Sequence, residues 1–142
     1  MSLLDLTGMI DEIEDAPEPT VADSGTEHKL RIISCRGGEA HSKNSGRDCE
    51  YISPVFEVPD APLVKEFSTF LWIPEKKKLT EKDYARALSD FRIFIKCFGI
   101  DISQAFEYQD HLPGHVGWAI LGIKDNDEYG EQNTIRKFIL PQ

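Results

Sequence analysis

"KDNDEYGEQNTIRKF", residues Lys124 to Phe138, is the stretch on which the reading of this chain turns. Asp125, Asp127 and Gly130 occupy positions 1, 3 and 6 of a twelve-residue calcium loop, where an EF-hand places two carboxylates and its turn glycine. Position 5 holds Tyr129 in place of an oxygen ligand, and position 12, which needs a bidentate Glu, holds Arg136. A guanidinium there repels calcium. The flanks, "GWAILGIK" before and "TIRKFIL" after, read as strands and not as the helices of an EF-hand. A β-hairpin with a polar, Gly-containing loop is therefore expected, and no metal.

Three more strand candidates and a helix precede this hairpin. In "EHKLRIIS" (27–34), Leu30 and Ile32 point one way while Lys29 and Arg31 point the other. In "CEYISPVFEV" (49–58), Ile52, Phe56 and Val58 share one face, and Tyr51, Ser53 and Val55 the other. Pro54 would interrupt a central ladder, which predicts an edge or bulged position for this strand. "CRGGEAHSKNSGRD" (35–48) lies between the two and reads as a long mobile loop. "VKEFSTFLWIP" (64–74) is the third strand, with faces Phe67, Thr69, Leu71, Ile73 and Ser68, Phe70, Trp72.

The pattern then changes period. Tyr84, Leu88, Phe91, Ile95 and Phe98 step by four, three, four and three, the stripe of an amphipathic helix. Thr80 with Asp83 predicts its N-cap and Gly99 its stop. A mixed connection (101–115) leads to Val116–Lys124 and Thr134–Leu140, the strands of the hairpin. The order β-β-β-α-β-β is that of an OB-fold. The expected class is mainly β, a five-stranded OB-fold Greek-key barrel with one helix between strands three and four. Its binding surface would lie over strands two and three, rimmed by the first-to-second and fourth-to-fifth loops.

Length fits one domain with a real core, residues 27–142, preceded by a segment of different composition. Residues 1–27 hold eight acids and no Lys or Arg. Subtracting them from the 25 acids of the chain leaves 17 against 16 Lys and Arg, so the net charge of −9 belongs almost wholly to the front. Residues 2–15 scatter Leu, Met and Ile among those acids, a pattern suited to a short amphipathic helix on a partner. "APEPTVADSGT" (16–26) is linker-like, so residues 1–26 are expected to form an acidic, disordered segment. Opposite charge also allows residues 1–24 to fold back on a basic face and compete with a ligand there. No run approaches 18 apolar residues and no secretory signal is visible, which points away from the membrane. Three cysteines (Cys35, Cys49, Cys97) without paired spacing suit reduced thiols in a cytoplasm.

Catalytic sets are missing from the sequence: no GxSxG, HExxH or Walker loop occurs. "CRGGE" lacks the GK[ST] ending of a phosphate loop. Neither Cys35, His41 and Cys49 nor His111 and His115 match a zinc spacing. No enzyme activity and no cofactor are expected. What remains is aromatic residues interleaved with bases. Outward-facing Lys29, Arg31, Tyr51, Phe70 and Trp72, with Arg36, Lys43 and Arg47 in the long loop and Arg136 and Lys137 on strand five, supply cations for phosphates and rings for unstacked bases. The inward set is Leu30, Ile52, Phe56, Phe67 and Leu71, and Trp118 is read as core. Phe70 and Trp72 could instead pack under the helix or the N-terminal segment, and an OB-fold protein-interaction module that docks replication or host factors without touching DNA stays open.

Several short segments resemble a known family. "EHKLRI", "SKNSGRDCEYISPVFEVPDAP", "DFRIFIKCFGID", "LPGHVGWAIL" and above all "EYGEQNTIRKFILP" are similar to small phage-encoded OB-fold proteins of single-stranded-DNA-binding type, formerly described as a domain of unknown function. The resemblance spans about residues 26–141. It implies a largely sequence-nonspecific single-stranded-DNA-binding protein of bacteriophage DNA replication and recombination, a viral protein at work in the cytoplasm of a bacterial host. Tyr51, Phe70 and Trp72 would be stackers, and Lys29, Arg31, Arg36, Lys43 and Arg47 phosphate contacts. Bacterial single-strand binders usually carry a partner-recruiting acidic tail at the C-terminus, whereas this chain ends "KFILPQ" and is acidic at the front. Replication or recombination proteins are accordingly expected at the N-terminal segment. A homo-oligomer is left open.

Overall fold

A computed structural model describes residues 3–142, so Met1 and Ser2 of the acidic segment lie outside the described residues. The chain is mainly β. Strands β1 (Glu27–His41), β2 (Asp48–Glu57), β3 (Phe67–Ser68), β4 (Leu71–Trp72), β5 (Val116–Asn126) and β6 (Gly130–Ile139) form one antiparallel sheet. Its order is β3-β2-β1-β5-β6, with β4 following β3 along the same edge of β2. Helix α1 (Ile10–Glu14) follows a 3-10 turn at Thr7–Met9, α2 (Glu81–Phe98) joins β4 towards β5, and α3 (Tyr108–His111) comes between. No described helix is long and apolar enough to cross a membrane.

The hairpin expected at Lys124–Phe138 is present, and it is longer than its sequence pattern suggested. β5 and β6 pair from Trp118–Ile139 to Asn126–Gly130. Asn126 turns the chain by accepting the N–H groups of Glu128 and Tyr129 on its side-chain oxygen, at 2.9 and 3.2 Å. Gly130 then takes φ +74°, a left-handed conformation that costs glycine nothing.

β1 departs most from its sequence reading. Residues 35–48, expected as a long loop, are mostly strand: β1 runs to His41, β2 begins at Asp48, and only a tight turn remains between them. The glycines that suggested a loop are in the strand for another reason. A Cβ on Gly37 would collide with the Tyr108 ring, so this glycine lets α3 lie directly against the sheet. Glu27–Arg31 of β1 pair with β5 and Arg31–His41 with β2, with the register shifting between Ile32 and Ser34. Such a bulge bends the strand and re-aims its side chains, so one strand serves both halves of the sheet.

Strand three is broken, which corrects the expected five continuous strands. β3 and β4 are separated at Thr69 and Phe70, opposite Ser53 and Pro54 of β2. Proline has no N–H to donate, so a ladder cannot run past it unbroken. Ser53 Oγ instead donates to Thr69 O at 2.8 Å. Pro54 does not place β2 at an edge, however: β1 flanks one side and β3 with β4 the other.

The sheet is also not closed, a second correction to the expected barrel. No ladder joins β3 or β4 to β6 among the described residues. Part of that seam is filled by the N-terminal segment. Thr20 bridges Val64 in parallel, and buried Ala22 exchanges hydrogen bonds with the Asn133 side chain on β6. Residues 3–19 are exposed, with α1 lying outside the body. Further along the seam, a cleft of about 700 Å³ opens between Thr69–Leu71 and Ile135–Leu140, with Ile93 of α2 also lining it.

The core is one cluster that holds Leu30, Ile52, Phe56, Phe67 and Leu71, the inward set expected from period-two patterning. Phe56 is its centre, with the rings of Phe67, Phe98 and Phe138 at 5.7, 5.6 and 6.2 Å. α2 starts and stops as expected: Thr80 Oγ1 accepts the Asp83 N–H at 3.2 Å, and Gly99 takes φ +63°. Its buried face is rotated from the expected stripe. Ala87, Phe94, Cys97 and Phe98 are buried while Leu88 is exposed, because the aromatic core draws in the Phe94 side of the helix. Cys49, Leu79 and Ala87 form a second, smaller cluster flanked by Trp72 and Tyr84.

Candidate nucleic-acid interface

Side chains opposite the core alternate outward along each strand, and cross-strand pairing decides which of them meet. Tyr51 of β2 lies between Gly38 of β1 and Trp72 of β4. With no side chain at Gly38, the Tyr51 ring approaches that position to within 3.5–3.7 Å of where a Cβ would be. Tyr51 stacks on Phe70 with centroids 4.7 Å apart and planes at 23°, and Phe70 meets Trp72 edge-on at 4.8 Å. The three expected stackers thus form one continuous aromatic patch. Phe70 is its outermost member at 47% exposure. Trp72 is half-buried against the smaller cluster and also anchors β4 to α2.

The cations are distributed less simply. Arg36 pairs with Ser53, one row from Tyr51, and is exposed, so it borders the aromatic patch. Arg136 and Lys137 line the seam cleft together with Phe70. Arg136 is the extra residue where the β5–β6 register shifts, and it runs across Gly122, whose Cβ would stand 3.3 Å from its Cγ. Glu27 and Asp90 line the same cleft, so it carries both signs of charge.

Four expected phosphate contacts sit elsewhere. Arg47 donates to the Lys77 carbonyl and Asn44 to Asp83 Oδ2, so the β1–β2 turn is fastened to the run-in and start of α2. Lys43 is exposed on that turn. Arg31 is engaged by Glu57 across the strands, with Nε at 2.7 Å from Oε1. Lys29 lies on the other half of the sheet, directly opposite Trp118.

Trp118 is the residue that sequence reasoning misplaced. It is 47% exposed, not core. The sequence signal was period-two alternation, which sets Trp118 on the face opposite Ala119 and Leu121, both fully buried in the structure. Gly117 confirms the packing constraint, because a Cβ there would be 2.9 Å from both the carbonyl oxygen and the sulfur of Cys97.

Two of the buried thiols, Cys35 and Cys97, have the opposite of nucleophile character. Burial pushes Cys35 up to about 11, with only a smaller lowering from a hydrogen bond to the Ser53 backbone, and burial likewise raises Cys97. Cys35 and Cys49 belong to different hydrophobic clusters. Among the described residues no group of three or more His, Cys, Asp or Glu is placed to hold a metal ion. Asn133 of β6 is buried and hydrogen-bonded to Ala22 and Gly122. No family model matches the chain, and no curated protein matches it.

Proposed function

We propose that this chain binds single-stranded DNA, with little sequence preference, on an OB-fold-type surface, in phage replication or recombination within a bacterial cytoplasm. The observation that carries the proposal is the aromatic patch of Tyr51, Phe70 and Trp72 on an outward sheet face bordered by Arg36. Rings supply faces on which any base can stack, and a cation supplies the phosphate contact. The strand order supports the OB-type reading: β1 is shared between two halves, α2 follows the third strand position, and a hairpin ends the chain. The split of β3 from β4 and the open seam are local departures from a closed barrel. Phage origin rests on the resemblance of the segments from "EHKLRI" to "EYGEQNTIRKFILP".

Titration of intrinsic fluorescence with oligo-dT at several salt concentrations tests this. Binding should weaken steeply with salt as counterions are released. Phe70→Ala should cost about 5- to 150-fold in affinity, the loss of roughly 1–3 kcal/mol of stacking. Binding no tighter than micromolar and matched by duplex DNA would overturn the proposal.

One observation favours an added protein contact. Leu3, Leu4, Leu6, Met9, Ile10 and Ile13 are all exposed on the acidic arm, where they would suit a replication or recombination protein. If Trp72→Ala leaves DNA binding unaltered but breaks a pull-down complex, the sheet itself is the protein-interaction module instead.

A further inference from the structure

Cations also gather around a ring outside the aromatic patch, with Lys137 common to that ring and to the cleft that Phe70 lines. Lys29, Trp118 and Ile139 stand side by side on β1, β5 and β6. The neighbouring rows are Arg31 with Val116 on one side, and Glu27, Ile120 and Lys137 on the other. Trp118 therefore has Lys29 directly across and Lys137 and Arg31 on its diagonals, within the roughly 7–8 Å reach of such pairs. Arg31 is held by Glu57, and Glu27 faces the same region, which leaves Lys29 and Lys137 as the cations to consider. The backbone beneath is fixed, since Cys97 Sγ donates to the Trp118 carbonyl at 3.3 Å. The indole is 47% exposed.

We propose that Trp118, Lys29 and Lys137 form a second contact site for a single-stranded nucleic acid, the indole stacking on one base and the two ammonium groups engaging flanking phosphates. The proposal rests on the single-strand-binding reading and adds a residue set and a length requirement to it. Tyr51 is opposite Gly38 and Trp118 is opposite Lys29, nine residues apart on β1. At about 3.3 Å per residue that is at most about 30 Å, shortened by the bulge. Four bases stacked at about 3.4 Å per step cover roughly 10 Å, a third of that path along β1. A strand near the upper end of the roughly 4–16 nucleotides covered by such folds can span it.

Affinity for (dT)4 and (dT)20 would be compared for the full chain, Phe70→Ala and Trp118→Ala. Because Trp72 and Trp118 are the only tryptophans, Trp72→Phe makes Trp118 the sole indole reporter. Trp118→Ala should weaken (dT)20 by roughly tenfold, in the range for one lost stack. It should leave (dT)4 within about twofold, since four nucleotides occupy the aromatic patch alone. (dT)20 should quench Trp118 emission in Trp72→Phe. Removing Lys29 or Lys137 should lower the salt slope by about one each. If Phe70→Ala weakens (dT)20 and Trp118→Ala does not, the second site is wrong and the single-strand reading survives. If Trp118→Ala weakens (dT)4 as much as (dT)20, the separation of two sites is wrong. If neither variant changes binding, the single-strand reading falls, and this site with it.

Discussion

Asn133 offers the sharpest test of how the N-terminal segment is joined to the sheet. Its side-chain oxygen accepts the Ala22 N–H at 2.8 Å, and its nitrogen donates to the Ala22 and Gly122 carbonyls at 3.0 Å each. Asn133→Ala removes all three. At about 0.5–1.5 kcal/mol net for each, the expected loss is roughly 2–4 kcal/mol, with the higher values applying if the Ala22 N–H is left dry. That is a large fraction of the roughly 5–15 kcal/mol typical of a folded domain. Asn133→Asp is nearly isosteric and separates hydrogen bonding from packing. It keeps the acceptor for Ala22 but turns an oxygen towards two carbonyls, so burial and repulsion raise the native pKa of the new carboxyl above its unfolded value of about 3.9. A raised acid pKa stabilises fully below the unfolded value, and the contribution is lost as pH rises through the native one. Urea unfolding at pH 7 and pH 4.5 should show a constant deficit for Asn133→Ala. Asn133→Asp should show a deficit that shrinks on acidification. The Ala22 amide should also lose hydrogen-exchange protection in Asn133→Ala before the β5–β6 ladder does. A midpoint for Asn133→Ala within about 0.5 kcal/mol of the parent, or an Asp variant indifferent to pH, would refute the reasoning.

Two further outcomes are expected. Cys35 is raised from 9.0 to about 11, so its contribution to stability is intact below pH 9 and falls as pH climbs towards 11; Cys35→Ala should make the alkaline decline in urea midpoint shallower, and an unchanged decline would show that other groups cause it. Deleting residues 1–15 removes five acids and moves the net charge from −9 to −4, which should tighten oligo-dT binding at low salt, with the gain shrinking as the Debye length falls below about 10 Å. Lower affinity on deletion would mean that the arm contributes to the site.

The parts of the fold legible in the sequence are those that depend on local period. Leu30, Ile52, Phe56, Phe67 and Leu71 are buried because alternation along a strand fixes facing, and Thr80 and Gly99 bound α2 because caps are local chemistry. Two of the misreadings involve partners distant in sequence, and the third a neglected local alternation. Gly37 looked like loop because glycine permits turns, yet it makes room for Tyr108. Ala22 looked like linker because its partner Asn133 lies at the far end of the chain. Trp118 looked like core because it is large and apolar, although the small Gly117 and Ala119 beside it occupy the inward positions.

The site was misread for a related reason, and the consequence bears on what the ligand must be. Alternation assigns Lys29 and Tyr51 to outward faces, but says nothing of whether they are neighbours. The register of β1 puts Tyr51 near one end of that strand and Trp118 with Lys29 near the other, with the bulge between Ile32 and Ser34 in the middle. Each end has rings with at least one cation: Tyr51, Phe70 and Trp72 with Arg36, and Trp118 with Lys29 and Lys137. A compact ligand touches one end and gains nothing from the other. An extended polyanion with a stacking group at every repeat gains from both, through the effective concentration that the first contact confers on the second. Affinity that rises sharply with oligonucleotide length, and only while Trp118 is present, is thus the signature that separates a single strand from a protein partner seated on either patch.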